Sequence, residues 1–303
     1  MPLTAPRTIV VLAGPTAVGK TELAIQLAGQ LGAVIVSADS RQLYRELTIG
    51  TAKPSATELG TVPHYFINSH SITAPISAGQ YEREALALFE TLFQTHQTIL
   101  LTGGTGLYIN AVLRGLDEMP QSNAVLRQQL QQEFNQTGIA PLQARLLTLD
   151  PAYAVLADMH NTQRVMRALE VCITTGKPYS WFRRQRPIDR PFNTILLSLD
   201  RPRLDLYARI DQRVDQMLAN GLVDEARGLL PYRHTTPLQT VGYKEVFPYL
   251  DGTCTHADMI ELLKQNTRRY AKRQLTWFRH QNQFTWFTPD QEAEMLTLIR
   301  QQL

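Results

Sequence analysis

A short apolar run, a glycine-rich loop and a helical pattern follow one another near the start of the chain. The loop, residues 14–21, reads Gly-Pro-Thr-Ala-Val-Gly-Lys-Thr and fits the pattern GxxxxGK[ST]. Residues 8–13 before it are apolar and mostly β-branched, and Leu23, Leu27 and Leu31 after it recur at helical spacing. The phosphate-binding motif requires this order of strand, loop and helix. The pattern therefore predicts an α/β protein with a diphosphate-binding site.

Each part of this loop has a chemical task at such a site. Glycines let backbone N–H groups converge on phosphate oxygens, and the helix N-terminus adds partial positive charge. Lys20 supplies a point charge, and the hydroxyl of Thr21 is suited to hold Mg²⁺, the cofactor we expect. The predicted diphosphate-binding residues are Gly14, Pro15, Thr16, Ala17, Val18, Gly19, Lys20 and Thr21.

Four short apolar runs predict the strands of the sheet. They are apolar throughout instead of alternating, which is typical of parallel strands covered on both faces. Helical patterns lie between them, so we predict a P-loop NTPase-like parallel sheet with flanking helices. The runs are residues 8–13, 33–38, 98–102 and 193–199.

The middle of the chain has a different pattern. Residues 117–191 contain no convincing strand, and their segments rich in Gln, Arg and Leu have helical spacing. We therefore predict a helical insertion domain at 117–191, with residues 1–116 and 192–303 forming the α/β core.

Composition narrows the class of protein further. The chain of 303 residues carries a formal net charge of only +3, so nucleic-acid affinity would have to come from local basic stripes. Cys172 and Cys254 are isolated from any CxxC or Cys/His spacing, which argues against a disulfide framework or a zinc site. No apolar run reaches membrane-spanning length and no signal-peptide pattern opens the chain. We expect a soluble, cytoplasmic protein.

The second apolar run ends in a carboxylate, Asp39, at the edge of the sheet where the phosphate loop is expected. Two interpretations are open for this residue: a metal ligand or turn residue, and a general base. No Asn-Lys-x-Asp element follows to read guanine, which disfavours a GTPase.

Eight short motifs together resemble the tRNA dimethylallyltransferase family, in the order that the family has them. The resemblance covers nearly the whole chain, which ends soon after Trp286, as in the compact bacterial form. Many bacterial relatives read Asp-Ser-Ala-Leu where this chain has Arg41 and Gln42 after Asp39-Ser40. The motifs are residues 14–21, 39–44, 49–54, 103–108, 150–151, 163–170, 241–243 and 272–279.

The resemblance implies a chemistry for the site. The loop would hold the diphosphate of dimethylallyl diphosphate, whose departure needs stabilisation of developing charge. The acceptor would be the exocyclic amine of an adenine, a poor nucleophile, so Asp39 is assigned as general base. Thr16 and an arginine would stabilise the leaving oxygen, and of the two candidates Arg209 and Arg213 we prefer Arg209. Helix-surface ion pairs with Asp205, Asp211 or Asp215 are the alternative role of these arginines.

Basic helices would hold the tRNA, the expected macromolecular partner of a monomeric enzyme. On a helix at 161–175, Gln163, Arg164 and Arg167 share one face. The last long helix carries Lys264, Arg268, Arg269, Lys272, Arg273 and Arg279, with no acidic residue between Glu261 and Asp290. Residues 181–186 add a basic patch. With those implied by the resemblance, the tRNA-binding residues are Asp39, Ser40, Arg41, Gln42, Thr105, Arg127, Gln163, Arg164, Arg167, Gly242, Tyr243, Lys244, Lys272, Arg273 and Arg279.

Three other functions compete with this interpretation. A P-loop small-molecule kinase would use the same loop for ATP, and an adenylate isopentenyltransferase would prenylate free nucleotides. The basic insertion and the basic C-terminal helix favour a macromolecular acceptor over a free nucleotide. A non-catalytic RNA-binding module would leave Asp39 and the phosphate loop without a purpose.

Overall fold

The computed structural model describes residues 7–183, 188–281 and 283–303. Residues 184–187, which form part of the basic patch expected at 181–186, lie outside the described residues. Contacts divide the chain into two compact units. One combines the described residues up to Arg114 with those from Asp189 to Leu303, and the other is Gly115–Ile188. No helix among the described residues is both long and apolar enough to span a membrane.

A parallel sheet forms the centre of the first unit, as predicted. In the described residues it has six strands in the order β3-β2-β4-β1-β5-β6. The predicted runs became β1, β2, β4 and β5, whereas the two edge strands were not predicted because they are too short to show a periodicity. The strands are β1 Thr8–Ala13, β2 Val34–Ser37, β3 His64–Tyr65, β4 Thr98–Gly103, β5 Asn193–Leu199 and β6 Thr285–Phe287.

Helices connect and cover these strands, and helices also make up the described part of the second unit. In the first unit they are α1 Lys20–Leu31, α2 Ala56–Thr61, α3 Ala78–Leu92, α4 Gly106–Arg114, α10 Arg203–Ala219, α11 Leu222–Gly228, α12 Val246–Leu250, α13 His256–His280 and α14 Glu292–Gln302. In the second unit they are α5 Ala124–Thr137, α6 Ala140–Leu149, α7 Pro151–Leu156, α8 Thr162–Thr175 and α9 Tyr179–Phe182.

The two faces of β1 bury their side chains in two separate clusters. Ile9 and Val11 belong to one hydrophobic cluster, and Val10 and Leu12 belong to the other. All four side chains are fully buried. Because successive side chains of a strand point to opposite faces, a sheet covered on both sides needs continuous apolar strands. This is the physical reason for the unbroken apolar pattern of the sequence.

The register of β4 brings three loops to one edge of the sheet. β4 pairs in parallel with both β1 and β2, so that Gly103 lies beside Ala13 and Thr102 beside Ser37. A Cβ at Gly103 would lie 2.3 Å from the carbonyl oxygen of Ala38, which explains the glycine. The loops that follow β1, β2 and β4 therefore start side by side.

A buried carboxylate organises part of the second unit. Asp150 is 1% exposed, and its Oδ1 accepts hydrogen bonds from the Tyr153 amide and the Ser180 hydroxyl. Its Oδ2 accepts a third from the Ser180 amide. Asp150 thus caps α7 and fixes the start of α9, which gives the Asp150-Pro151 motif a structural role.

Another carboxylate, Glu225 in the first turn of α11, holds the segment around Ile49. Its two oxygens accept hydrogen bonds from the amides of Thr48 (3.1 Å), Ile49 (2.8 Å) and Gly50 (3.0 Å). The buried hydroxyl of Tyr243 donates a fourth at 2.6 Å, and burial raises the pKa of Tyr243. Glu225 therefore fixes the turn that leads into residues 49–54.

We expect Glu225→Gln to lower the free energy of unfolding by about 1–3 kcal/mol, because an NH₂ group would face N–H donors where an oxygen now accepts. Asp224→Asn is the matched control, since Asp224 lies in the same helical turn and its side chain is 77% exposed beside Arg227. The control should change stability by no more than about 0.5 kcal/mol. Urea unfolding of both variants measures the difference, and equal midpoints would contradict the bracing role of Glu225.

Candidate active site

A cavity of about 570 Å³ opens at the edge of the sheet where the three loops start. All of its lining residues belong to the first unit. The phosphate loop contributes Thr16, Lys20 and Thr21, and the segment after β2 contributes Asp39. Residues of α10 and α13 complete the wall. Five of the residues predicted for the donor thus line one cavity together with Asp39, namely Thr16, Ala17, Gly19, Lys20 and Thr21, whereas Gly14, Pro15 and Val18 are not part of its lining.

The phosphate loop has the backbone shape that its glycines allow. Gly14 and Gly19 have φ values of 149° and 112°, which side-chain-bearing residues rarely adopt. The Nζ of Lys20 donates to the carbonyl oxygens of Gly14 (2.9 Å) and Pro15 (2.6 Å). Burial, and after it the neighbouring Arg213, lower the pKa of Lys20 to about 7, while Asp39 acts in the opposite direction. Lys20 is thus a half-buried amine at the start of α1, and desolvation disfavours its protonated form.

Asp39 is fixed by one carboxylate oxygen. Its Oδ1 accepts hydrogen bonds from the amides of Arg41 (2.8 Å) and Gln42 (3.3 Å). The other oxygen, Oδ2, accepts none from the residues that the structure describes. A carboxylate that is oriented through one oxygen and open at the other is suited to take up a proton in the cavity.

The residues next to Asp39 are held by two neighbouring segments. The hydroxyl of Thr105 accepts a hydrogen bond from the Ser40 amide at 3.0 Å and donates one to the Ser40 hydroxyl at 3.2 Å. The side chain of Gln42 donates to the carbonyl oxygens of Thr51 (3.2 Å) and Ala52 (3.1 Å). The motifs at 39–44, 49–54 and 103–108 therefore form one connected structure.

Arg41 extends into the same cavity with unused hydrogen-bonding capacity. Its Nη1 donates to the Ser40 carbonyl at 3.1 Å, while its buried Nε has no hydrogen-bond partner within the described part of the chain.

The two candidate arginines of α10 differ in their surroundings. The Nε of Arg209 donates to the carbonyl oxygen of Ala17 in the phosphate loop at 3.0 Å. Arg213, one turn later, is half-buried in the cavity wall and makes no hydrogen bond to any described residue. Burial and the neighbouring Arg209 hold the pKa of Arg213 below its ordinary value. Among the described residues, neither arginine forms an ion pair.

Acidic residues of α10 and of the β5 end neutralise part of α13. Lys264 pairs with Asp215 at 2.7 Å, Arg268 with Asp211 at 2.6 Å, and Arg279 with Asp200 at 2.5 Å. The absence of acidic residues between Glu261 and Asp290 therefore does not make this part of α13 a free basic surface. Lys272 and Arg273 are exposed and have no acidic partner in the described parts of the chain.

The aromatic residues of α13 mostly pack inside the protein. Phe278 is 1% exposed and belongs to the same hydrophobic cluster as Ile9, with Trp277 packed against that cluster. Tyr270 is half-buried and lines the cavity. Core packing thus accounts for Phe278 and Trp277.

Within the second unit, the predicted tRNA-binding residues fall into two groups. Gln163 and Arg164 are exposed, and Gln163 accepts a hydrogen bond from the exposed Arg127 at 3.1 Å. Arg167 instead donates to the Pro120 carbonyl at 2.6 Å and lies 3.1 Å from the buried Glu170. The guanidinium of Arg167 is thus already engaged.

The 241–244 segment is mostly buried. Tyr243 is 0% exposed, and Gly242 donates its amide to the buried Glu245 at 2.9 Å. Lys244 is exposed, with its Nζ 3.8 Å from Glu245. A Cβ at Gly50 would lie 2.5 Å from the Tyr243 ring, so this segment and the Ile49 turn pack directly together.

Two residues that were not predicted from the sequence connect the segments of the site. Glu225 holds the Ile49 turn, and Gln274 bonds to the loops after β1 and β4. A single Glu or Gln on an amphipathic helix has no sequence signature of its own. The one available signal for Gln274 was its place inside the 272–279 motif.

Known proteins of one family are similar to this chain over nearly its whole length. The model of the family described as IPP transferase matches residues 42–281. The chain is 47% identical over 295 residues to tRNA dimethylallyltransferase 1 of Bacteroides thetaiotaomicron, covering 97% of this chain and 96% of that protein. It is 48% identical over 295 residues to the tRNA dimethylallyltransferase of Cytophaga hutchinsonii, covering 97% of each.

A solved structure has a similar fold over nearly the whole chain. The full-length tRNA isopentenylpyrophosphate transferase of Bacillus halodurans matches with a TM-score of 0.72 and 37% identity, covering 97% of this chain and 96% of that one. A eukaryotic dimethylallyltransferase acting on tRNA matches with a TM-score of 0.79 and 26% identity, covering 96% and 78%. The phosphate loop, the carboxylate beside it and these matches together lead to one conclusion: the chain belongs to the IPP transferase family of tRNA dimethylallyltransferases.

Proposed function

We propose that this chain transfers the dimethylallyl group of dimethylallyl diphosphate to the N6 amine of an adenosine in tRNA, adenosine 37 beside the anticodon, and releases diphosphate. The observation that carries the proposal is the shared cavity, in which the phosphate loop and Asp39 face the same space. The acceptor amine attacks the allylic carbon, the carbon–oxygen bond breaks, and its electron pair leaves with the diphosphate. The amine loses its proton to Asp39.

The phosphate loop binds the donor. Residues 14–21 offer backbone amides at the start of α1 and the amine of Lys20, whose protonated form the negative charge of a bound diphosphate favours. The diphosphate oxygens replace the carbonyl partners of Lys20, so that the negative charge that develops on the leaving group meets a fixed positive charge. Thr16 stands in the same loop and donates its hydroxyl to the bridging oxygen.

Mg²⁺ fits the loop through Thr21. Thr21 lines the cavity, and Mg²⁺ combines few protein oxygens with substrate phosphate oxygens and water. No group of three or more His, Cys, Asp or Glu side chains among the described residues offers an alternative metal site in the protein. Bound there, Mg²⁺ would neutralise diphosphate charge.

We assign Arg213 to the leaving oxygen and Arg209 to the loop that carries the donor. Arg213 is half-buried in the cavity wall next to Lys20, and its guanidinium is not used within the described residues. Arg209, the residue preferred from the sequence, also lines the cavity, but its Nε already donates to the Ala17 carbonyl and thereby supports the loop.

The acceptor enters on the side of Asp39. A target adenine must leave its base stack before its amine reaches a cavity, and a positive surface must hold the RNA backbone. Lys272 and Arg273 of α13, and Arg127 and Arg164 of the second unit, are exposed cations for this purpose. Ser40, Arg41, Gln42 and Thr105 surround Asp39 and are assigned to the target nucleotide.

One experiment separates this proposal from the competing functions. The protein is incubated with dimethylallyl diphosphate and either unmodified tRNA or AMP, and the nucleosides are analysed by mass. Prenylated adenosine from tRNA, with AMP left unchanged, is the expected result. Prenylated AMP would identify a free-nucleotide enzyme, and ADP formed from added ATP in step with product would identify a kinase.

We expect Asp39→Asn to lower the rate of transfer about 10²- to 10⁴-fold, the usual contribution of a general base, while tRNA and donor still bind. The asparagine retains an oxygen for the Arg41 and Gln42 amides but does not take up a proton. Single-turnover rates and filter-binding affinities measure the two effects. Asp205→Asn, an exposed carboxylate on α10, is the control. A wild-type single-turnover rate in Asp39→Asn would remove this residue from the mechanism.

Arg164→Ala and Arg167→Ala should have different consequences. Loss of the exposed Arg164 should raise the tRNA Michaelis constant and reduce the slope of log affinity against log salt by about 0.7, the single-strand value for one phosphate contact. Loss of Arg167 should lower the free energy of unfolding by about 1–3 kcal/mol, because the buried Glu170 loses its partner.

Glu170→Gln is the matched variant for the structural part of this prediction. Glu170 accepts hydrogen bonds from the Ser122 hydroxyl at 2.7 Å and the Asn123 amide at 2.6 Å, at the start of α5. The Glu170→Gln variant should therefore lose about as much stability as Arg167→Ala. Its slope of log tRNA affinity against log salt should stay unchanged. If Arg164→Ala leaves both affinity and slope at wild-type values, this face of α8 is merely solvated.

A further inference from the structure

The side-chain amide of Gln274 bonds to both glycine loops at the edge of the sheet. Its Oε1 accepts a hydrogen bond from the backbone amide of Thr16 at 2.9 Å. Its Nε2 donates to the carbonyl oxygen of Gly104, also at 2.9 Å. Gln274 lies on α13, far along the chain from both partners, and is only 7% exposed. One amide thus connects the loop after β1 with the loop after β4.

The surrounding residues are shaped for this bridge. Ala271 and Phe278 on the same face of α13 are almost fully buried, so a polar side chain between them is costly unless its donor and acceptor are both used. A Cβ at position 104 would lie 2.2 Å from the Nε2 of Gln274, so the close approach requires Gly104. The bridge therefore depends on a buried amide and on a matching glycine.

Each of the two hydrogen bonds of Gln274 holds a segment that is assigned to one part of the reaction. On one side it fixes the backbone of Thr16, whose loop is assigned to the donor. On the other side Gly104 precedes Thr105, whose amide donates to the Ala38 carbonyl at 3.2 Å and whose hydroxyl accepts from the Ser40 amide at 3.0 Å. Asp39 lies between Ala38 and Ser40. The residues on both sides of Asp39 are thus held by the loop that Gln274 contacts.

We infer that Gln274 is a positioning residue for the transfer reaction, which sets the separation between the diphosphate loop and Asp39 by bonding to Thr16 and Gly104 at once. The inference rests on the proposed function of this cavity. Gln274 acts through the two loops, and a change in their separation misaligns the acceptor amine and the allylic carbon. Such a change lowers the rate of the chemical step more than it lowers the affinity for the donor.

Gln274→Glu tests the two-ended bond. An ionised carboxylate accepts from the Thr16 amide but places a second acceptor against the Gly104 carbonyl, whereas a protonated carboxyl group restores both bonds. We expect the single-turnover rate at saturating donor and tRNA to fall about 10- to 100-fold at pH 8.5, the scale of a small misplacement of reacting groups. The ratio of variant to wild-type rate should rise again as the pH is lowered to 6.

Gln274→Met separates the bridge from packing, because it keeps the volume of the side chain and removes both hydrogen bonds without burying a charge. The single-turnover rate of this variant should fall by a similar factor. The ratio of its rate to the wild-type rate should not change with pH. The donor KM should stay within about threefold in both variants. Gln265→Glu, an exposed glutamine on the same helix, is the control and should match the wild type at every pH.

The outcomes distinguish the inference from the function on which it rests. A wild-type protein that forms no prenylated adenosine overturns the proposed function and the inference with it. With an active wild type, a Gln274→Met rate within twofold of it overturns the inference alone. The inference is also overturned if the ratio of the Gln274→Glu rate to the wild-type rate does not change with pH. It is overturned as well if saturating donor restores the lost rate.

Discussion

The parallel pairing of β4 between β1 and β2 is the constraint on which the site depends. Parallel strands present their carboxyl ends at the same edge of a sheet, so the loops after Ala13, Ser37 and Gly103 start side by side. The cavity forms at this edge. The hydrogen-bond ladder of the core thereby brings the diphosphate loop and Asp39 to the same edge, before any side chain of the site makes a contact.

Buried polar groups then refine the positions of these loops. Gln274 and Glu225 each connect a helix of the first unit with backbone amides or carbonyls of the site. In the second unit, Asp150 makes three comparable hydrogen bonds at the start of α7. A buried polar side chain destabilises the fold when it lacks hydrogen-bond partners. When all of its partners are present, their positions allow only one geometry. Such groups therefore select one arrangement of otherwise pliable loops.

Charge compensation across helices decides which cations are free. Lys264 and Arg268 of α13 pair with aspartates of α10, whereas Lys272 on the same helix stays exposed and unpaired within the described chain. In the same way, Arg167 neutralises the buried Glu170 while Arg164 faces solvent. A free cation next to a cavity or on an open helix face keeps its electrostatic attraction for phosphate, and a paired one loses much of it.

The sequence by itself determined the phosphate-loop motif, the parallel sheet and the family, because these follow from local patterns. The run from residue 8 to Thr21 specifies strand, loop and helix through its own residues, and continuous apolar strands require cover on both faces. Tertiary structure alone decided the partners of Arg167, Arg279 and Gln274, and the different surroundings of Arg209 and Arg213. The ion pairs, hydrogen bonds and burial of a residue depend on groups that lie far away in the chain. Its sequence neighbours therefore do not predict them.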